Sequence, residues 1–254
     1  MDLIRSAAMV FSMFSRFPVP RVEWKQENMR HMLACLPLVG IALGGVNALW
    51  WYLARKLSFG TLLFAAGMTA LPVLLTGGIH MDGFMDTVDA LSSHGDAEKK
   101  RTILKDSHAG AFAVLYCALY LLCTFALYAE TGADTPLLLP VCLIPVMSRC
   151  LSAAASLTFP VYGGEGLLKT FHEAGNKKEA AFPCLLLLIS LTVIGARSFL
   201  TAAVCLIACA ACLFYVYKMS RKQFGGMSGD LAGFLLEVSE IVLLLAIILC
   251  KAVF

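Results

Sequence analysis

The sequence predicts an all-α integral membrane bundle of about seven transmembrane helices, and three observations carry that prediction. The first is composition: 59% of the 254 residues are hydrophobic, 15% are charged, and mean hydropathy is +0.80. A soluble domain carries roughly 45–50% apolar and about 25% charged residues, so the excess needs a bilayer as its solvent. The second is that the apolar residues form continuous runs rather than the alternation of a membrane β-strand. The third is a strong bias of Lys and Arg to one side of those runs.

Residues 1–25 come first. The stretch 3–17 is apolar but interrupted by Arg5, Ser6, Ser12, Ser15 and Arg16, so it reads as an interfacial helix rather than a crossing. It lacks the small-residue cleavage site of a signal peptide. The spans then fall at 31–54, 57–78, 109–129, 136–159, 181–196, 199–217 and 231–251. Each is near the roughly 20 residues that cross about 30 Å of hydrocarbon. The fifth is the weakest, being short and carrying Pro183 near its start, and the fifth and sixth could instead form a re-entrant pair. With the N-terminus in the cytoplasm, 15 of the 20 Lys and Arg residues lie in cytoplasmic segments, Arg21, Lys99, Lys100 and Arg101 among them. Four (Arg55, Lys56, Arg197 and Lys251) lie outside, and Arg149 lies within a span. The whole chain, 1–254, reads as one membrane domain. The net charge of +3 carries no basic stripe with interleaved aromatics, which argues against nucleic acid. Most of the ten cysteines lie within apolar spans, so they read as small packing residues rather than disulfides or a zinc site.

Carboxylates at membrane depth are costly and are functional by default. Downstream of Gly77 and Gly78, residues His80, Asp82, Asp86 and Asp89 follow the second span. The three aspartates, spaced i, i+4, i+7, fall within about 60° on one helix face. Like charges stacked this way repel, and the nearest cations in sequence are Lys99 to Arg101. A divalent cation is the simplest compensation, and oxygen-only ligands suit a hard ion such as Mg²⁺ or Mn²⁺. A solvated polar helix end is the plainer alternative. His80 alone could be a satisfied buried imidazole as readily as a base.

Three further polar clusters sit at the same level. Lys105-Asp106-Ser107 precedes the third span, where Asp106 or Ser107 could serve merely as a helix cap. Gly163-Gly164-Glu165-Gly166 follows the fourth, and Gly225-Gly226-Met227-Ser228-Gly229-Asp230 leads into the seventh. Gly-rich turns at helix N-termini present N–H groups to phosphate oxygens. Glu237, seven residues after Asp230, continues an acidic stripe with Glu240, and Arg149 needs an anionic partner, either one of these acids or a substrate phosphate. The opposite side offers only Glu130 and Asp134 in a short loop. That asymmetry predicts a site with one cytoplasmic mouth, and it argues against a proton- or ion-coupled transporter, which would line a path from both faces. Carboxylate-held Mg²⁺, Gly-rich turns and cations together are the parts needed for attack at phosphorus.

These residues also carry a family likeness. Phe14-Ser15-Arg16-Phe17-Pro18-Val19-Pro20, Gly77 through Asp89, Lys105-Asp106-Ser107 with Gly110, Glu165-Gly166-Leu167, and Gly225-Gly226 through Gly229-Asp230 with Glu237 and Glu240 resemble, in order, the motifs of the cobalamin synthase (adenosylcobinamide-GDP ribazoletransferase) family. Ala90 stands where family members often carry Gly. The resemblance implies a Mg²⁺-dependent transferase of the inner membrane that acts late in cobalamin biosynthesis. It would join adenosylcobinamide-GDP to α-ribazole or α-ribazole 5′-phosphate, with the ribazole 5′ oxygen attacking phosphorus and GMP leaving. Asp82, Asp86 and Asp89 would bind metal. Asp106 and Asp230 would complete a second metal site or hold the ribazole. His80 would be a base or substrate contact, and Lys105 and Arg149 would hold phosphate. Arg16, Gly77, Gly78, Ser107, Glu165, Gly225, Gly226 and Glu237 would line the substrate site. A homo-oligomer or an association with other cobalamin-pathway enzymes would be compatible with this. The rival on residues alone is a CDP-alcohol phosphotransferase, but Asp82-Gly83 is followed by Asp86-Thr87 where that signature needs Ala-Arg.

Overall fold

The computed structural model describes residues 2–20, 22–106, 108–132, 135–162 and 166–251. Arg21, Ser107, Asp134, Gly163, Gly164 and Glu165 therefore lie outside the described residues. The chain forms α1 (Asp2–Phe14), α2 (Gln26–Met29), α3 (Met32–Lys56), α4 (Thr61–Thr76), α5 (Ile79–Ser92) and α6 (Ala97–Ile103). It continues with α7 (Ala111–Thr131), α8 (Leu138–Thr158), α9 (Leu167–Ala174), α10 (Ala181–Gly195), α11 (Phe199–Met219) and α12 (Gly229–Leu249). Six helical segments are long and apolar enough to cross a membrane, or seven if α4 and α5 count as one broken span. α10, lengthened by a 3₁₀ turn at Lys177–Ala180, and α11 each qualify as separate crossings. The only extended pairing among the described residues is a bridge between Val161 and Met227. This is the polytopic all-α membrane architecture that the composition predicts.

α3, α8 and α12 form the centre, with 61%, 72% and 61% of their most apolar stretches buried, against 22% for α7. Lipid offers the helices no hydrophobic drive to associate, so close packing must come from small residues. α3 lies along α8 in this way: a Cβ at Gly40 would come within 2.3 Å of the Pro145 carbonyl oxygen, and one at Gly44 within 2.4 Å of that of Cys142. The outward faces of α7, α10 and α11 carry Leu115, Leu122, Leu188, Ile207 and Phe214, all exposed as lipid-facing residues should be.

The chain turns by 94° between α4 and α5. Gly77 and Gly78 both adopt left-handed backbone, with φ of 69° and 78°, a conformation glycine enters without the usual Cβ penalty. The bend sends α5 across α12 at a second glycine contact. A Cβ at Gly83 would meet the Asp230 backbone at 2.9 Å, and one at Gly233 would meet the His80 carbonyl oxygen at 2.9 Å. These two glycines let the polar ends of α5 and α12 share one site.

Candidate active site

α5 is one continuous helix, so Asp82, Asp86 and Asp89 do share a face. Asp86 lies within electrostatic reach of Asp82, Asp89, Asp106 and Asp230, which gathers five carboxylates from three segments. Asp89 rests against Gly110, where a Cβ would approach its carboxylate oxygen to 2.1 Å. Asp230 follows Ser228, whose Oγ caps α12 by accepting from Leu231 N at 3.3 Å. The helix N-terminus there favours the Asp230 charge. Asp106 is engaged by His108, which approaches it through Nδ1 at 2.8 Å and donates from its backbone N at 3.0 Å. These two contacts hold the exposed Asp106 carboxyl below its ordinary range.

Two of these acids, Asp82 and Asp230, border a cavity of about 380 Å³, while Asp86, Asp89 and Asp106 lie outside its wall. Its walls include His80, Asp82, Lys105, Gly226 and Asp230 among the residues singled out from sequence. The His80 imidazole is 5% exposed and stacks on Phe14, with ring centres 5.4 Å apart and planes 11° apart. Its Nε2 is buried without a hydrogen-bond partner among the described residues. A buried polar atom in that state has hydrogen-bonding capacity left to use. Ser152, Ser156, Arg101, Tyr162 and Lys169 also line the cavity, and sequence reasoning did not select them. An apolar wall comes from Met13, Phe14, Leu33, Leu36, Leu168 and Phe171.

Other expected site residues lie elsewhere. Arg16 donates its backbone N–H to Leu75 O at 2.7 Å and lays its guanidinium over Gly77, outside the cavity wall. Gly77 and Gly78 act through the bend. Gly226 meets backbone rather than open space: a Cβ there would sit 2.5 Å from Tyr162 N, so its immediate requirement is the Val161–Met227 bridge. Arg149 and Glu237 border a second, much smaller polar cavity of about 20 Å³, with Tyr120, Tyr128 and Glu240. Of the partners open to Arg149, the structure selects Glu240, at 2.6 Å. Ser107 and Glu165 lie outside the described residues.

Among the described residues no three carboxylates, imidazoles or thiols converge closely enough to cage a metal ion. Magnesium does not need such a cage, since it keeps several waters and uses one or two carboxylates plus substrate phosphates. The donor chemistry fits that mode. Asp82, Asp86, Asp89 and Asp230 form no ion pair with a cationic side chain among the described residues.

The whole chain has known relatives. Residues 6–248 match the profile of a family described as "Cobalamin-5-phosphate synthase". An "Adenosylcobinamide-GDP ribazoletransferase" of Lachnoclostridium phytofermentans is 34% identical over 100% of this chain and 97% of the relative. Proteins of the same name from Clostridium botulinum strain Alaska E43 (34%, over 95% of this chain and 96% of the relative) and Desulfitobacterium hafniense (35%, over 96% and 97%) are similar throughout. No solved structure matches the chain. With the match running across every element that builds the cavity, the chain belongs to the cobalamin-5-phosphate synthase family.

Proposed function

We propose that this membrane transferase joins adenosylcobinamide-GDP to α-ribazole or α-ribazole 5′-phosphate in the 380 Å³ cavity, releasing GMP. The observation that carries the reading is the cavity wall itself. One space holds a buried imidazole whose Nε2 has no hydrogen-bond partner among the described residues (His80), carboxylates (Asp82, Asp230) and cations (Arg101, Lys105). These are the groups that in-line attack on a diphosphate requires.

In the reaction a ribose hydroxyl of the ribazole attacks the phosphorus bonded to the cobinamide side chain. That phosphorus loses its bond to the bridging oxygen, and GMP departs with that oxygen. When the acceptor is the 5′-phosphate, the product keeps it, so the 5′ oxygen is already occupied. The attacking atom is then another ribose hydroxyl, which corrects the 5′-oxygen attack implied by resemblance. His80 Nε2 would accept the proton that the hydroxyl loses. Lys105 would hold phosphate oxygens as the leaving charge develops. Asp82, Asp86 and Asp89, with Asp106 and Asp230 beside them, would hold Mg²⁺. The bound ion would supply neutralisation of diphosphate charge.

The cavity suits a group of nucleotide size, and pockets of about 300–1,000 Å³ are the usual range for small ligands. An entire corrinoid would therefore remain at the mouth. The Lys/Arg bias supports a mouth on the cytoplasmic side of the inner membrane. The test is GMP release by purified, lipid-reconstituted protein given both substrates, with Mg²⁺ or with EDTA. Release that needs both substrates and Mg²⁺ is expected. Release that persists in EDTA would remove the metal assignment, and no release from folded protein would remove the reaction.

A further inference from the structure

α6 is a short polar helix whose Arg101 the reaction outlined above uses only as a cation of the cavity wall. It carries three consecutive cations, Lys99, Lys100 and Arg101, of which the last two dock on the same π-helical turn, Ser220–Phe224, at the end of α11. Lys100 Nζ donates to Gln223 Oε1 and is 6% exposed. Arg101 donates through one terminal nitrogen to the Phe224 carbonyl at 3.1 Å. Its guanidinium also lies 4.5 Å from the centre of the Tyr162 ring, and that nitrogen sits 3.3 Å from where a Gly225 Cβ would be. Tyr162 is itself fixed, because its N–H donates to Met227 O at 3.1 Å while Met227 N donates to Pro160 O at 2.8 Å.

The two cations then diverge. Lys100 is spent on Gln223 and is not part of the cavity wall, whereas Arg101 lines it together with Tyr162. Arg101 forms no ion pair with a carboxylate among the described residues. A guanidinium has five N–H donors in a rigid fork, and only one hydrogen bond from this fork is made within the described protein. A cation–π contact with tyrosine and a bond to a carbonyl hold the guanidinium in place without neutralising its charge. A cation held in this way, in the wall of the cavity that Asp82 and Asp230 also line, can receive an anion with paired oxygens.

Resting on the transferase reading above, we propose that Arg101, held by Tyr162 and Phe224, is the binding residue for a phosphate of the nucleoside diphosphate portion of the substrate. Gly225 and Gly226 serve it indirectly: the first leaves room beside the guanidinium, and the second lets the Val161–Tyr162 backbone approach.

The probe is GMP, the nucleotide product, titrated into detergent-solubilised full-length protein and into Arg101→Ala, Arg101→Lys and Lys100→Ala variants, each checked for thermal unfolding. Arg101→Ala should weaken GMP binding roughly tenfold or more, as expected for loss of a charge-assisted contact. Arg101→Lys should fall between, since a point charge replaces the fork. Lys100→Ala loosens the same helix from the same turn and should bind GMP as the wild type does. In turnover, Arg101→Ala should raise KM for the GDP-activated substrate and leave KM for α-ribazole unchanged. Equal losses in Lys100→Ala and Arg101→Ala would reduce Arg101 to a staple and overturn the proposal, as would unchanged binding in Arg101→Ala. A wild-type protein that binds no GMP would instead overturn the transferase reading beneath it.

Discussion

α12 passes through two acidic regions that differ in how their charge is balanced. At its start, Asp230 joins Asp82, Asp86 and Asp89 near the cavity, and no cationic side chain among the described residues pairs with any of them. Two to three turns deeper, Glu240 meets Arg149 at 2.6 Å, with side chains 16% and 2% exposed. Ser148 Oγ adds a hydrogen bond to Glu240 at 2.9 Å, and Arg149 also donates to the Pro145 carbonyl at 3.1 Å. There the Glu240 charge is balanced within the protein by Arg149. The upper one is left for something that binds. Intramembrane charge alone therefore does not mark a ligand site, whereas uncompensated charge beside a cavity does.

The largest effect should come from the open cluster. Asp82→Ala or Asp86→Ala should lower GMP release by roughly 100-fold or more, the scale of losing a principal electrostatic group in a site. Membrane insertion and unfolding temperature should be nearly unchanged, because removing a like charge relieves repulsion. Retained turnover in either variant would sink the metal assignment and, with it, the distinction between the two regions.

The closed cluster should respond in the opposite way. Glu240→Ala strands a buried guanidinium, a change that costs about 3–5 kcal/mol when a buried pair is broken. Thermal unfolding in detergent would read this as a clear fall in Tm. Molecules still folded at low temperature should keep near-normal KM values. The double variant Arg149→Met with Glu240→Leu should recover much of the stability, since an apolar pair of similar volume removes both charges together. If Glu240→Ala instead raised KM with no loss of Tm, Arg149 would belong to the substrate site after all.

Sequence and structure agree where one physical signal dominates. Six of the seven apolar runs coincide with helices long enough to cross, because each must satisfy its own backbone hydrogen bonds in lipid; the second, 57–78, forms the 16-residue α4, which counts as a crossing only together with α5. The shared face of Asp82, Asp86 and Asp89 followed from helical period alone. The paired Gly77 and Gly78 marked a turn, but its 94° angle depends on how α5 packs against α12 through Gly83 and Gly233. The partner of Arg149 was not legible, since Glu237, Glu240 and a phosphate all offered charge at similar depth. α6 was missed because its seven residues, five of them polar, carry no apolar period, although Asp96 caps it at Lys99 N. Arg101 had contributed only to membrane orientation. Its spacing of four from Lys105 hinted that both could face one side, yet its platform, Tyr162, lies 61 positions away in sequence.

Asp106 offers the smallest and finest test, because it belongs to the open cluster but already has a partner. It is exposed, and its side-chain and backbone contacts with His108 depress its pKa. A carboxyl depressed in the fold is ionised throughout neutral pH, and the interaction is lost only as pH falls through its folded value. His108→Ala should therefore leave turnover at pH 7 within about twofold of wild type, since Asp106 is charged in both proteins. The difference should appear on the acid side. Without His108 the carboxyl returns toward its ordinary range, so the variant should lose activity at a slightly higher pH than wild type. Asp106→Asn should abolish that difference, because no titrating group remains at the position. A large loss at pH 7 in His108→Ala would mean that the imidazole itself contacts substrate, which would extend the open cluster beyond its carboxylates.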